Sequence, residues 1–162
     1  MIRNGESEYI IAIMLKRAYK EFAQAFAVSI IESDFVAAHR MLASWLTHSV
    51  TPEQLRRIIQ KEVQEVAEAN ELEGEYHPGS YEIDSNICTL QDLKETPSYR
   101  DARQIAEQVN EENYRQWMVI QFQPTRQEQE ELDIDAWLDW WMIVVEEEGN
   151  LRIGYFEIED PD

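Results

Sequence analysis

The stretch from Asp135 to Ile158 constrains the fold most, because it reads as two strands joined by an acidic turn that contains glycine. Apolar, aromatic and β-branched runs on either side of such a turn are typical of a β-hairpin. In the first run both alternating sets of side chains are apolar. One set is Leu138, Trp140, Met142 and Val144, and the other is Trp137, Trp141, Ile143 and Val145. Only Asp139 interrupts this pattern. A strand that is apolar on both sides needs cover on both faces of its sheet, so we expect helices on one face and a second layer on the other.

Helices are predicted for the first half of the chain. The spacing of apolar residues follows the 3.6-residue period over three ranges: residues 7–32, 35–48 and 52–68. Ser33 or Asp34 is suited to cap the second helix. The third helix has a strong start, because Thr51 can act as N-cap, Pro52 occupies the first helical position and Gln54 completes a capping box.

The second half is richer in strands. Ahead of the hairpin, strands are predicted for residues 81–87 and 114–122, weaker helices for 90–95 and 99–109, and a polar, acidic connector for 127–135. This order predicts a single α+β domain over residues 1–162. Three N-terminal helices would pack on a curved, mainly antiparallel sheet that ends in a C-terminal hairpin.

Three segments resemble those of a known superfamily: Ser33-Asp34-Phe35-x-x-Ala38, Thr51-Pro52-Glu53 and the strand Leu151-Arg-Ile-Gly-Tyr-Phe156. Together with the order of the elements, they look like the nuclear transport factor two-like (cystatin-like) superfamily. The resemblance implies a cone-like fold, and many members of the superfamily dimerise through the open face of the sheet. The superfamily includes small-molecule isomerases, dehydratases and hydrolases, transport adaptors and bacterial immunity proteins, and a shared fold does not choose among them.

The acidic charge is concentrated in the strand-rich half. The net charge is −19; residues 1–70 carry 8 Lys/Arg against 9 Asp/Glu, whereas residues 71–162 carry 6 against 24. Such a field repels nucleic acid and anionic membrane and attracts basic partners, although it can also serve solubility alone. We therefore expect no nucleic-acid partner and no membrane association.

Cysteine content and the N-terminal sequence predict a cytoplasmic protein. Cys88 is the single cysteine, which rules out an internal disulfide and suits a reducing compartment. Glu6 and Glu8 lie where the basic start of a signal peptide belongs, so export is not expected. The apolar stretches are too short to predict a membrane span.

The sequence contains few residues that suggest catalysis. It lacks a Gly-rich phosphate loop, a His-Glu-x-x-His motif, a Cys-x-x-Cys pair and a Gly-x-Ser-x-Gly motif, so we expect neither a cofactor nor a metal. Asp139 lies on an apolar strand, where burial would raise its pKa as an acid or base requires. His39 lies on a helix between apolar residues. A general base and a hydrogen-bonded rim histidine are both open for His39, as are a catalytic and a structural role for Asp139.

Two functional hypotheses follow. In the first, the chain is a non-enzymatic, cytoplasmic interaction module, in its sharpest form an immunity-type protein that neutralises a basic toxin. Its partner-binding residues would be Glu146, Glu147, Glu148, Asp133 and Asp135. In the second, a pocket inside the cone binds or converts a small molecule and uses Asp139 and His39. The pocket or interface aromatics are Trp117, Trp137, Trp140, Trp141 and Tyr155. We also expect a homodimer formed through the solvent side of the sheet, because a wet apolar face is costly.

Overall fold

The computed structural model describes residues 4–86, 89–95 and 107–159. In these parts the helices are α1 (Asn4–Ile31), α2 (Phe35–Arg40), α3 (Ser44–Thr47), α4 (Pro52–Ala69), α5 (Leu90–Glu95) and α6 (Arg126–Leu132). The strands are β1 (Ser80–Asn86), β2 (Tyr114–Gln123), β3 (Leu138–Glu147) and β4 (Asn150–Glu159). Ile87, Cys88 and most of the helix predicted for 99–109 lie outside the described residues.

The strands form one antiparallel sheet in the order β1-β2-β3-β4, and β3 and β4 form the predicted C-terminal hairpin. Glu148 and Gly149 connect the two strands with φ angles of 52° and 79°. Left-handed backbone at both central residues is typical of the two-residue hairpin turn whose twist matches the flanking strands. The α+β class, with helices ahead of an antiparallel sheet, is confirmed.

The main core lies between the sheet and the helices α1, α2 and α4. Every second residue of β2 and β3 faces it, and Leu138, Trp140, Met142 and Val144 are all 0 % exposed. Trp140 packs between Phe26 and Phe156, with ring centroids 4.8 Å and 4.4 Å away. Of the two apolar sets on β3, the set of Leu138, Trp140, Met142 and Val144 is therefore the one that the helices cover.

The single helix predicted for residues 35–48 is wrong, because the chain leaves the helical conformation between α2 and α3. Leu42 forms a bridge with Ile153 in β4. The N–H of Ala43 donates to the Ile153 carbonyl at 2.8 Å, and the N–H of Ile153 donates to the Met41 carbonyl at 2.8 Å. An edge strand has unpaired backbone groups, and the break in the helix satisfies some of those on β4.

The acidic connector predicted for residues 127–135 is also wrong in part, because α6 occupies most of it. Thr125 Oγ1 accepts from the Glu128 N–H at 3.1 Å, and Glu128 Oε1 accepts from the Thr125 N–H at 3.0 Å. These reciprocal bonds form a capping box, which satisfies two backbone donors at the start of a helix. The same arrangement at Thr51 and Gln54 confirms the predicted start of α4.

A second, smaller core covers part of the other face of the sheet. Ile143 and Val145 of β3 are buried there under Leu90 and Leu93 of α5, together with Ala43 and Val109. The indole N–H of Trp45 in α3 donates to the Gly154 carbonyl at 2.9 Å. This cover lies at the end of the sheet next to the hairpin turn. The predicted two-sided burial of β3 thus holds at that end only, and the half around Asp139 and Trp141 is more open.

Candidate functional site

The open half of the outer sheet face has an acidic border around a centre that is partly apolar and partly polar. Residues that pair directly across an antiparallel sheet share a face, so the pairing register defines two rows of side chains. The rows are Asp84–Val119–Trp141–Glu157 and Glu82–Gln121–Asp139–Glu159. We call these eight residues the acidic face. Each row has carboxylates on both edge strands, so a ligand that lies across the sheet meets negative charge on either side.

A groove of about 450 Å³ runs between β1 and Trp141 on this face. Its lining includes Glu82, Asp84, Val119, Gln121 and Asp139. Glu82 and Asp84 are exposed to solvent. None of the ion pairs in the described parts of the chain involves Glu82, Asp84 or Asp139. The groove therefore has a negative potential that no neighbouring Lys or Arg of the described residues offsets by an ion pair.

Asp139 lies in the groove and is half-buried. Burial desolvates its carboxyl group and raises its pKa, and the hydrogen bond from Gln121 opposes this shift in part. The Gln121 amide donates to Asp139 Oδ1 at 3.2 Å, and the Gln123 amide donates to Gln121 Oε1 at 3.0 Å. The raised pKa predicted from the apolar strand is found, and two glutamines orient the carboxyl group.

Trp141 marks the boundary between the acidic face and the second core. It is half-buried and packs on Trp117, with ring centroids 4.9 Å apart and planes tilted by 34°. Trp117 in turn belongs to the second core. A partly exposed Trp surrounded by carboxylates is a favourable place for a Lys or Arg side chain, because the aromatic face and the acids attract the same cation.

The other predicted aromatics have mainly structural positions. Trp137 precedes β3 and packs in the main core beside Tyr76, with centroids 5.2 Å apart, so the prediction that it shares a face with Trp141 is wrong. The alternation of a strand applies only where the ladder exists. Trp137 and Trp140 are both 0 % exposed, and Tyr155 packs partly buried on the second core.

His39 and Asp139 do not form a common site. The His39 Nε2 donates to the Val50 carbonyl at 2.6 Å, and α2, which carries His39, packs on the helical side of the sheet. Asp139 lies on the outer face. The sheet stands between them, so the acid/base pair of the second hypothesis is not assembled. His39 has the hydrogen-bonded rim position that was the alternative to a general base.

The acids at the hairpin turn have intramolecular partners. Glu147 Oε1 accepts from the Ser44 N–H at 3.0 Å and Glu147 Oε2 accepts from the Ser44 hydroxyl at 2.6 Å, which stabilises the start of α3. Glu146 pairs with Arg115 at 2.9 Å. Glu148 is exposed in the turn itself. Two of the three acids that the sequence assigns to partner binding therefore have partners within the chain.

Asp133 and Asp135 lie next to the acidic face rather than on it. Asp133 ends α6 with a φ of 55°, and both residues are exposed. They line a second open groove of about 450 Å³ that also includes Gln121 and Asn70. Because Gln121 lines both grooves, the two predicted partner-binding acids extend the negative surface beyond the end of the sheet.

Sequence reasoning missed Glu82, Asp84 and Gln121. The signal for the first two was present in β1, where Tyr81 and Ile83 alternate with Glu82 and Asp84. Alternation of this kind indicates a strand with one buried and one exposed face. What the alternation could not tell is that the exposed face continues onto β3 at Asp139.

Comparisons of the chain with protein-family models, characterised proteins and solved structures found no significant match. In the described residues, no group of three or more His, Cys, Asp or Glu side chains is arranged to hold a metal ion. A search of the same residues finds no helix with the length and apolar character needed to cross a membrane.

Proposed function

We propose that the chain is a non-enzymatic interaction module and that the acidic face binds a basic segment of a partner protein. The observation that carries the proposal is the groove at Trp141, where Glu82, Asp84 and Asp139 form no ion pair within the described residues. An uncompensated cluster of carboxylates costs self-repulsion, which a cationic ligand relieves.

The shape of the site supports a protein ligand over a small molecule. The groove lies along an open sheet face, whereas sites for small molecules are usually concave and bury most of the ligand. The space between the sheet and the helices, where the cone hypothesis places its pocket, contains large buried side chains such as Trp137, Trp140 and Phe122. The alternative of a small-molecule enzyme also needs His39 and Asp139 together, and they lie on opposite sides of the sheet.

We further propose a cone-like, nuclear transport factor two-like architecture, a cytoplasmic location and an immunity-type role, in which the acidic face binds a basic toxin. The acids at the edge of the site, Asp133 and Asp135, would then steer the approach of the partner. Complementary fields of this kind raise association rates and are screened by salt.

The test uses a short peptide made of Arg and Lys as the ligand and isothermal titration calorimetry at low salt. The double variant Glu82→Gln/Asp84→Asn should weaken binding roughly tenfold, because two surface charges contribute about 0.2–1 kcal/mol each. The control is Glu68→Gln/Glu73→Gln, which removes the same charge from exposed positions away from the acidic face.

The control variant separates local binding from attraction to net charge. If the two double variants weaken the peptide equally, the peptide responds to the overall charge and the acidic face is not a binding site. If only the variant of Glu82 and Asp84 weakens binding, and high salt removes the difference, the proposal is supported.

A further inference from the structure

The first half of α1 is an exposed apolar helix. Side chains from residue 5 to residue 17 are exposed around the whole helix, apart from half-buried Ser7. At 1.5 Å per residue this part is about 20 Å long. Residues 9–15 are uncharged, and the exposed fraction is 69 % for Tyr9 and 64 % for Met14. Contiguous exposed apolar surface in a folded protein marks contact with another molecule.

One stripe of this helix points away from the core. The side of α1 that faces the core is defined by its buried residues Tyr19, Ala23, Phe26, Ala27 and Ile30. At about 100° per residue, Ile10 and Met14 lie roughly 160° from the centre of that side, and Ile11 and Ile13 flank them at roughly 100° on either side. We call these four residues the outer stripe. They are between 42 % and 64 % exposed.

Charges flank residues 9–15 in opposite senses. Glu6 and Glu8 precede them, and Lys16, Arg17 and Lys20 follow them. All five are exposed, and none of them takes part in an ion pair within the described residues. The acids and bases are too far apart along the helix for pairs at three or four residues' spacing. Lys16 and Arg17 lie in the middle of α1, so the helix dipole does not explain them.

We propose that two copies of the chain pair through the outer stripe, with their α1 helices antiparallel. This arrangement covers Ile10 and Met14 of each copy and places the acidic end of one helix beside the basic end of the other. A parallel pair would bring like charges together at both ends. The antiparallel arrangement also places the two helix dipoles in opposite directions, which is favourable. The two cores lie at opposite ends of the paired segment, so they need not collide.

The charge distribution favours a second copy over other partners. The helix α1 has three acidic and three basic residues, whereas residues 71–162 carry 24 Asp/Glu against 6 Lys/Arg. Pairing through the sheet would bring two acidic faces together, and pairing through α1 avoids this repulsion. A lipid surface is disfavoured because helices that lie on membranes usually have an excess of Lys and Arg on the polar face. The homodimer predicted from the sequence is thus kept, and its surface moves from the sheet to α1.

A partner also supports the helix itself. Three of the seven residues from 9 to 15 are isoleucines, whose branched side chains lower helix propensity. Helical segments are marginal in water unless a face packs on something, and residues 5–17 bury no described side chain in the core. Packing of two outer stripes supplies the missing contact.

Sedimentation equilibrium of the full chain measures the association. The wild type should sediment as a dimer of the 19.2 kDa chain at a protein concentration of about 100 µM. Met14→Glu should raise the dimer dissociation constant by at least about a hundredfold, because it places charge at the centre of the interface. Leu15→Glu is the matched control. Leu15 is also exposed, lies one residue away and is turned toward the core-facing side of the helix, so this variant should change the constant by less than about tenfold.

Charge exchange tests the orientation. Glu6 and Arg17 border the outer stripe, so Glu6→Lys should weaken the antiparallel dimer roughly fivefold, and adding Arg17→Glu should restore it. Circular dichroism checks that each variant is folded. A wild type that stays monomeric at about 100 µM overturns the proposal, as does binding to neutral or anionic vesicles by a chain that is monomeric in solution. Equal loss of the dimer in Met14→Glu and Leu15→Glu, or no rescue by the second exchange, overturns the assigned stripe or orientation.

Discussion

Trp140 and Trp141 are neighbours in β3 with side chains on opposite faces of the sheet. The same substitution at each position therefore compares how deeply side chains are buried on the two faces. Trp140 is 0 % exposed and lies between Phe26 and Phe156. Replacing a buried Trp by Ala removes its burial and leaves a cavity, which costs about 3–5 kcal/mol. Because domains of this size are stable by about 5–15 kcal/mol, Trp140→Ala should remain only marginally folded. Its thermal midpoint should fall by roughly 6–20 °C.

Trp141→Ala should cost much less. Trp141 is half-buried, and its ring contact with Trp117 is worth about 0.5–1.5 kcal/mol beyond burial. We expect a total loss of about 1–2 kcal/mol. The same variant should weaken the Arg/Lys peptide, because the aromatic surface at the centre of the acidic face is removed.

Urea unfolding followed by far-ultraviolet circular dichroism measures both variants, and the slope of the transition shows whether it stays two-state. The prediction is a loss at position 140 at least about twice that at position 141. Equal losses would mean that the outer face is covered as fully as the inner one. The groove at Trp141 would then not be open surface, and the proposed binding site would be refuted.

Three further substitutions test individual contacts. Asp139→Asn should raise the free energy of unfolding at neutral pH, measured by urea titration across pH. Burial raises the folded-state pKa of Asp139 above the ordinary 3.8, so the carboxyl group begins to destabilise the fold as the pH rises from its unfolded-state pKa toward its folded-state pKa. The stability gained by Asp139→Asn should therefore vanish at pH values below both. Glu147→Gln should lower the free energy of unfolding by about 1 kcal/mol in thermal denaturation, because it weakens the acceptor for Ser44 at the start of α3. Unchanged stability would contradict a structural role. Gly154→Ala should cost about 1–3 kcal/mol in chemical denaturation, because its Cβ would lie 2.6 Å from Val145 Cγ1; a neutral result would mean that the second core yields easily.

Local patterns predicted much of the fold. The two-sided apolar run of β3, the hairpin and the capping box at Thr51 rest on neighbouring residues, and all three are found. The capping box at Thr125 and Glu128 was equally visible in the sequence. It does not predict a helix by itself, because α6 is short and has no buried residue, so the apolar spacing that usually indicates a helix is missing there.

Contacts between residues that are far apart in the sequence determine the features that local patterns could not predict. The helix between residues 35 and 48 is interrupted where Ala43 bonds to Ile153, and Glu147 is bound by Ser44 across 103 residues. Local spacing contains no information about such partners. For the same reason, the sequence indicated that Asp139 was on an apolar strand but not that α5 covers only the half of the face next to the hairpin turn.

Whether the acidic face is the binding surface is tested most directly by a two-dimensional NMR titration with the Arg/Lys peptide. The predicted result is a set of chemical-shift changes centred on the amides of β1 and β3 around Glu82 and Asp139 and on the indole N–H of Trp141. The amides of residues 5–17 in α1 should be unaffected. Changes spread evenly over the acidic second half of the chain, or centred on the hairpin turn at Glu148, would contradict the assignment of the site.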